Sequence, residues 1–453
     1  MKRRARSSRN ARRRVARPGP KARSWLRRDR RALSPSLTRV YPLVVARASG
    51  ATVTDVDGRR YLDFTSGIAV TGTGHCHPDV VDAITRQART LIHMSGTDFY
   101  YPSEIRLAER LIELAPGRRA KQCFLANSGT ESTEAAMKLA RYATGRPYFV
   151  AFLGGFHGRT YGAMSLSASK PVHKQGFGPL VPGVVHVPYA DCYRCPYGLT
   201  PDRCNLYCVS VIEDEVFRRT VPAEEVAAIV VEPIQGEGGY VVPPDGYLTA
   251  LQALARKYGI LLMVDEIQTG MGRTGRMWGC DHDGVEPDLM MAAKGIASGL
   301  PLGAMIADAR LMCWPSGAHA NTFGGNPVAC EAALVTLRLL MGGLIERAAA
   351  VGRHLLDRCR ELQARHRLVG DVRGRGLMIG VELVTDRERK TPAVRERDRV
   401  IECCFQRGLL LLGCGRSVLR LVPPLIITRR QADNAVSLLD EVIGDVERRS
   451  TAA

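Results

Sequence analysis

"ILLMVDEIQTGMGRTG", residues 260–275, runs five apolar residues into an acid, Asp265, and then into a glycine-rich turn. An apolar run without polar alternation describes a strand covered on both faces, the signature of a buried parallel sheet. The same pattern recurs on either side. "CFLA" (123–126) precedes the helical "ESTEAAMKLARYA" (131–143), and "YFVAFL" (148–153) follows. "AAIVVEP" (227–233), the helical "GYLTALQALARKYG" (246–259), "DLMMAA" (288–293) and "GAMIAD" (303–308) continue the series. Apolar strands alternating with amphipathic helices predict an α/β fold with a mostly parallel sheet between helices. After about residue 327 a long helical pattern leads into an α+β region. There "DVRGRGLMIGVEL" (371–383) and "RGLLLLGCGRSVLRLVPPL" (407–425) read as strand pairs with glycine turns.

These patterns divide the chain into a basic extension (1–31), the N-terminal part of a small domain (32–84), a large domain (85–330) and a C-terminal small domain (331–453). At 453 residues, 45% hydrophobic and 24% charged, the composition is that of an ordinary globular protein. No apolar run approaches the roughly 18 residues of a spanning helix, so no membrane segment is expected. The formal charge of +19 is misleading: residues 1–31 carry fifteen Lys or Arg against Asp29 alone, leaving +5 for the remainder. That segment is expected to be disordered, a solvated extension outside the fold. Phosphate attraction by it is an alternative, as is a resemblance to an Arg-rich transit peptide. Nucleic acid is not expected as a partner of the folded part. Thirteen cysteines scattered along a long chain suggest a reducing, cytoplasmic compartment.

In open α/β sheets ligands sit at the carboxyl ends of strands, and several of those ends carry unusual groups. Ser128, Gly129 and Thr130 open a helix whose free N–H groups can cradle a phosphate, although Ser and Thr are also ordinary caps. Phe156 and His157 stand among glycines in "FLGGFHGRT" (152–160), and Glu232 and Glu237 do so in "VVEPIQGEGG" (230–239). Lys294, in "DLMMAAKGIASGLPLG" (288–303), is one of only nine lysines among 64 Lys plus Arg. An amine that must lose its proton and attack a carbonyl cannot be arginine. Asp265 and Lys294 at neighbouring strand ends form either a structural ion pair or the two poles of a pyridoxal phosphate site. In the second case the lysine forms the Schiff base and the acid keeps the pyridine nitrogen protonated.

The series "VVEPIQGEGG…VDEIQTGMGRTG…AKGIASGLPLGA…NTFGGNP", with "SGIAVTGTGHCHP" (66–78), "NSGTE", "FHGRT" and "RLVPPL" (420–425), resembles the class III pyridoxal-phosphate aminotransferases. The likeness spans about 38–445 and implies fold type I, an aspartate-aminotransferase-like large domain plus a smaller α+β domain. It implies that Lys294 carries pyridoxal 5'-phosphate, Asp265 pairs with the pyridine nitrogen, Gln268 approaches the phenolic oxygen and Phe156 stacks on the ring beside His157. Ser128, Gly129 and Thr130 then hold the phosphate, with Thr322 reaching in from the second subunit of a homodimer, or of a tetramer. Arg159 and Arg420 receive substrate carboxylates, and Glu237 pairs with Arg420 until a dicarboxylic substrate displaces it. Ile68 leaves an apolar wall where ornithine-type members resemble one another in having a tyrosine. The look is nearest to 4-aminobutyrate aminotransferases, which take an ω-amino donor and 2-oxoglutarate. Acetylornithine- or ornithine-type transamination and racemisation are the alternatives. A catalytically silent scaffold would be expected to lack Lys294, Asp265 or Glu237, and all three are present.

One segment departs from the family pattern. "DCYRCPYGLTPDRCNLYC" (191–208) places Cys192, Cys195, Cys204 and Cys208 at C-x2-C-x8-C-x3-C spacing. Two close pairs of thiolates can bind zinc or hold an iron–sulfur cluster, whereas free thiols or disulfides are the plain alternatives.

Overall fold

The computed structural model describes residues 18–450. Its centre is a seven-stranded sheet. In spatial order the strands are Lys121–Ala126, Gly303–Asp308, Leu289–Ala292, Leu261–Asp265, Val226–Val231, Tyr148–Phe152 and Val184–Val187. Only Gly303–Asp308 runs against the others. The expected mostly parallel sheet is therefore present, and its six like-directed strands end at one edge. Residues on both faces are buried: Val226–Val231 is buried at every position, which is why it reads as a continuous apolar run. One face packs on the helix Gly129–Thr144 through Ala136, Leu139 and Ala140. The other joins the larger core that includes Leu248, Leu251 and Trp278.

Local chemistry sets where that helix lies. The Ser128 hydroxyl accepts the Glu131 N–H at 3.3 Å as an N-cap. At the far end Gly145 takes φ +67° and its N–H closes on the Arg141 carbonyl at 2.8 Å. The helix N-terminus thus sits at the sheet edge where the strands end.

The smaller part joins both ends of the chain. Val45–Ser49, Thr52–Asp55 and Arg60–Asp63 form an antiparallel sheet that Leu409–Leu410 extends in parallel. Val369–Arg375, Met378–Asp386, Val418–Leu421 and Leu412–Cys414 form a second antiparallel sheet. The helices Ile345–Arg365 and Arg429–Ser450 pack together beside it. The expected boundaries at 84/85 and 330/331 fall inside the helices Pro78–Thr90 and Pro327–Leu339, which pack on one another. No linker marks either position.

Two expectations need correction. Residues 1–17 lie outside the described part, but Pro20–Ala32 is a helix rather than a disordered segment. Its first turn is capped from a distance: Asp57 accepts the N–H groups of Lys21 at 3.1 Å and Ala22 at 3.0 Å. A carboxylate at a helix N-terminus also meets the positive end of the helix dipole. Gly19 permits this contact, since a Cβ there would lie 2.3 Å from Asp57 Cγ. Composition registers how few apolar residues a segment has, not a cap supplied 36 positions away. The second correction concerns hydropathy. The helical stretch Pro327–Arg365 contains a window apolar enough, by composition, to cross a membrane. It is interrupted at Gly342 and Gly343, whose backbone is not helical, and its first part packs on Pro78–Thr90 and Pro102–Leu114.

Candidate active site

The ends of five strands and the loops that follow them enclose a cavity of about 510 Å3. Its lining includes Ser128, Gly129, Thr130, Phe156, His157, Arg159, Glu232, Glu237, Asp265, Gln268 and Lys294. These residues are dispersed over 167 positions of the chain, and the parallel sheet brings them to one edge. Of the expected site residues, Ile68, Thr322 and Arg420 are not part of this lining. Ile68 is 46% exposed, because Gly67, Ile68 and Ala69 all adopt left-handed backbone that carries the side chain outward. Val70 supplies the apolar wall instead. Thr322 is exposed on the surface of its own chain.

Lys294 follows the buried strand Leu289–Ala292 and takes φ +44°, a left-handed conformation unusual for a side-chain-bearing residue. Burial lowers the pKa of its amine, against the opposing pull of Asp265, Glu232 and Glu237. A lowered amine spends more of its time unprotonated, as a nucleophile or base requires.

Asp265 is 3% exposed and fully engaged. Its Oδ2 lies 2.7 Å from His157 Nδ1, and its Oδ1 accepts the Ile267 N–H at 3.0 Å. Burial works against a charge on His157, but the hydrogen bond and charge of Asp265 outweigh it and raise the imidazole's pKa. His157 thus serves as a buried partner to Asp265. Nearby, Glu232 accepts the N–H groups of Phe156 at 3.1 Å and Gly236 at 3.0 Å, tying two cavity loops together. Burial raises the Glu232 carboxyl, with Asp265 adding to the rise against the pull of His157.

At the helix N-terminus, Gly129 and Thr130 line the cavity, and as first-turn residues their backbone N–H groups have no intrahelical partners. Space there is too tight for larger residues. A Cβ on Gly129 would lie 2.8 Å from Ile267 Cδ1, and one on Gly158 would lie 2.2 Å from Thr130 Oγ1. Thr130 Oγ1 is 2.7 Å from Thr160 Oγ1, whose proton goes to Glu134.

The other end of the site is an ion-pair cluster. Arg420 Nη1 donates to Glu237 Oε1 at 2.6 Å, and Lys170 Nζ donates to Glu237 Oε2 at 3.1 Å. Burial pushes the Glu237 carboxyl up, but the two cations outweigh it and bring it down to about 2. Arg420 is 6% exposed, and its Nε has no hydrogen-bond partner among the described residues. A buried guanidinium with an unmet donor retains hydrogen-bonding capacity beyond Glu237. Arg159 is exposed at the cavity rim with its guanidinium 5.8 Å from the centre of the Phe156 ring. The sequence pointed to neither Lys170 nor Tyr240. Lys170 stands 67 positions from Glu237 in an unremarkable turn. Tyr240 reads as an ordinary aromatic after a glycine pair, yet its hydroxyl donates to Gln268 Oε1 at 2.9 Å.

The chain matches the family model described as "Aminotransferase class-III" over residues 34–443. It belongs to the class III aminotransferases. A 4-aminobutyrate aminotransferase of Mycobacterium tuberculosis is 41% identical over 438 residues, 95% of this chain and 97% of that one. An isoleucine 2-epimerase of Lentilactobacillus buchneri is 39% identical over 410 residues, 90% and 91% of the two chains. Among solved structures, a Bacillus anthracis aminotransferase superposes with a TM-score of 0.88 at 32% identity, covering 95% of this chain and all of that one. This class III member is therefore a pyridoxal-phosphate enzyme of fold type I. The cavity fits that group: an amine with lowered pKa, a buried acid, an aromatic wall and a helix N-terminus with unpaired N–H groups, where tight packing against Ile267 requires Gly129.

The cysteine-rich loop is the clearest disagreement with expectation. Cys192, Cys195, Cys204 and Cys208 line one small cavity, and all four are free thiols. Among the described residues, however, no three His, Cys, Asp or Glu side chains are placed to hold a metal ion. Burial raises the Cys192 thiol and pushes Cys208 up to about 11, with the neighbouring thiols adding to both. Ligands for zinc or iron–sulfur must be thiolates, a form that burial disfavours at Cys192 and Cys208. Of the loop's two cations, Arg194 turns away to Glu382 at 2.6 Å and Arg203 pairs with Asp202. The expected zinc or iron–sulfur site is not supported.

Proposed function

We propose that this enzyme transfers an amino group from an ω-amino donor resembling 4-aminobutyrate to 2-oxoglutarate, in two half-reactions on one site. The observation carrying this reading is the Glu237–Arg420 pair, with Lys170 on the other oxygen and Arg420 Nε unmet. A donor lacking a second carboxylate leaves the pair closed. A dicarboxylic substrate offers Arg420 a bidentate partner, and Glu237 remains held by Lys170. Arg159, at the opposite rim, receives the remaining carboxylate.

Lys294 is the residue that carries the cofactor and then moves a proton at the substrate's amino-bearing carbon. When bound, pyridoxal phosphate supplies an electron sink for that carbon. Asp265, backed by His157, would hold the ring nitrogen in its protonated form, and Phe156 would cover one ring face. Gly129 and Thr130, beside Ser128, present N–H and hydroxyl groups to the phosphate. The partner's Thr322 completes this cradle in a homodimer, a role supported by its exposure outside its own cavity. Thirteen free thiols support a reducing, cytoplasmic setting.

Half-reactions test the reading. Glutamate and 4-aminobutyrate should each convert the bound cofactor, followed by its absorbance. Glu237→Ala leaves Arg420 open, so the rate ratio of glutamate to 4-aminobutyrate should rise about tenfold, the effect of roughly 1.4 kcal/mol. An unchanged ratio would sink the switch. A second reading, racemisation, is favoured by the 39% identity to an isoleucine 2-epimerase. Inversion of a single amino-acid enantiomer in the absence of any 2-oxo acid would establish it in place of the first.

A further inference from the structure

Gln268 serves a ring oxygen only if its amide presents the right end. The amide carries a donor, Nε2, and an acceptor, Oε1, of nearly equal size, so shape cannot choose between them. Tyr240 makes the choice. Its side chain is wholly buried, and its hydroxyl lies 2.9 Å from Gln268 Oε1, its one hydrogen bond among the described residues. Were the amide reversed, Nε2 would donate to the phenol oxygen and the phenol's own proton would be left unpaired. An unmet buried donor costs about 1–3 kcal/mol. Donation from Tyr240 to Oε1 avoids that cost, and burial raises the phenol's pKa, so the proton stays in place. Nε2 is then the free end of a residue that lines the cavity. It lies close over the Gly236 turn, where a Cβ would come within 2.1 Å of it.

We propose that Tyr240 is a positioning residue: by holding Oε1 of Gln268 it fixes Nε2 as the donor to the cofactor's phenolic oxygen, and thereby tunes how tightly the lysine-bound cofactor keeps its proton. This rests on the cofactor reading above, in which Gln268 faces that oxygen. The sign follows from charge. The proton on the nitrogen joining Lys294 to the cofactor is shared with the negative phenolic oxygen beside it. A donor to that oxygen drains its charge and loosens the proton. Without the donor the proton is held more tightly.

The holoenzyme's visible band, titrated with pH, reads this directly. Tyr240→Phe keeps the ring and removes only the hydroxyl, and should raise the midpoint by about half a unit to one unit. Gln268→Ala should raise it at least as much. The double variant should match Gln268→Ala alone, because Tyr240 acts through Gln268. Gln268→Glu keeps an acceptor for Tyr240 but offers the ring no donor, so its midpoint should rise as well. That variant tests whether Gln268 faces the phenolic oxygen at all, even if Tyr240→Phe folds poorly. An unchanged midpoint in Tyr240→Phe or Gln268→Glu, or additive shifts in the double variant, overturns the proposal. A wild-type protein that develops no Lys294-dependent band with pyridoxal phosphate would overturn the cofactor reading along with it.

Discussion

Two regions of this molecule gather chemically capable side chains, and only one makes a site. The cavity at the sheet edge draws on residues as far apart as Ser128 and Lys294, each at the end of a strand or the start of a helix. The loop 191–208 packs four cysteines into 17 positions, at metal-like spacing, in turns that give way to a short helix only at Tyr207 and Cys208. Short spacing puts groups near one another, but strand ends fix their direction. Asp265 meets His157 at 2.7 Å because both follow buried parallel strands. The four thiols converge on one small cavity without a common centre. The loop's firm contact with the site lies at its base, where the Tyr189 hydroxyl donates to the Glu232 carbonyl at 3.0 Å.

The largest effect that would break this contrast lies at Lys294. Lys294→Ala should remove the visible band of the bound cofactor and cut turnover by roughly a thousandfold or more, with the fold intact. Lys294→Arg should be equally inactive, since guanidinium stays protonated. Absorbance and steady-state rates measure both. Near-wild-type turnover in either variant would show that the strand-end geometry does not carry the chemistry.

Lys294 and Asp265 were legible in the sequence because strand-end chemistry leaves a local mark, a single polar group after an apolar run. Phe156 and the Gly129–Thr130 turn stood out more faintly as strand-end features, and Gln268 only through family likeness. What stayed hidden were the contacts between remote loops. Nothing in "SASKPVHK" (167–174) announces that Lys170 shares Glu237 with Arg420. Nothing near Tyr240 announces that its hydroxyl sets an amide 28 positions away. The helix Pro20–Ala32 was hidden for the same reason, since its cap, Asp57, comes from elsewhere in the chain. His157 was visible as a site residue, but its role as partner to Asp265 needed the sheet order.

A subtler effect sharpens the picture of the cavity as a place where burial, not solvent, sets charge. The folded-state pKa of Glu232 is raised, chiefly by burial. The folded protein therefore binds a proton there that the unfolded chain has already released, so stability falls as pH rises from the unfolded carboxylate pKa toward the folded one. Glu232→Gln removes that loss, but its single carbonyl oxygen keeps an acceptor for only one of the two N–H groups, Gly236 on Oε1 or Phe156 on Oε2. In cofactor-free protein the variant's stability relative to wild type should therefore improve by on the order of 1–2 kcal/mol between pH 4.5 and pH 8, whatever constant cost the lost N–H partner adds at both. Denaturant unfolding at the two pH values measures the difference. Equal offsets at both would mean that the charge on Glu232 is already paid for by its two N–H donors.

The smallest effect is expected where the sequence looked most like a metal site. With no three ligands converging, replacing Cys192, Cys195, Cys204 and Cys208 together by Ser should leave cofactor content and turnover at wild-type levels. The thiols are half-buried, and of the four only Cys208 packs against the main core. Each exchange should then cost a few tenths of a kcal/mol, as surface and half-buried substitutions do. A structural zinc site behaves quite differently, because its binding free energy of about 10–16 kcal/mol becomes folding free energy. Elemental analysis of the purified wild-type protein should accordingly find far less than one zinc or iron per chain. The quadruple variant's denaturation midpoint should also respond no differently to a chelator than wild type does. One metal per chain in wild type, lost together with several kcal/mol of stability in the variant, would erase the contrast between the two regions. It would show that the loop closes around an ion into a geometry that the thiols do not adopt on their own.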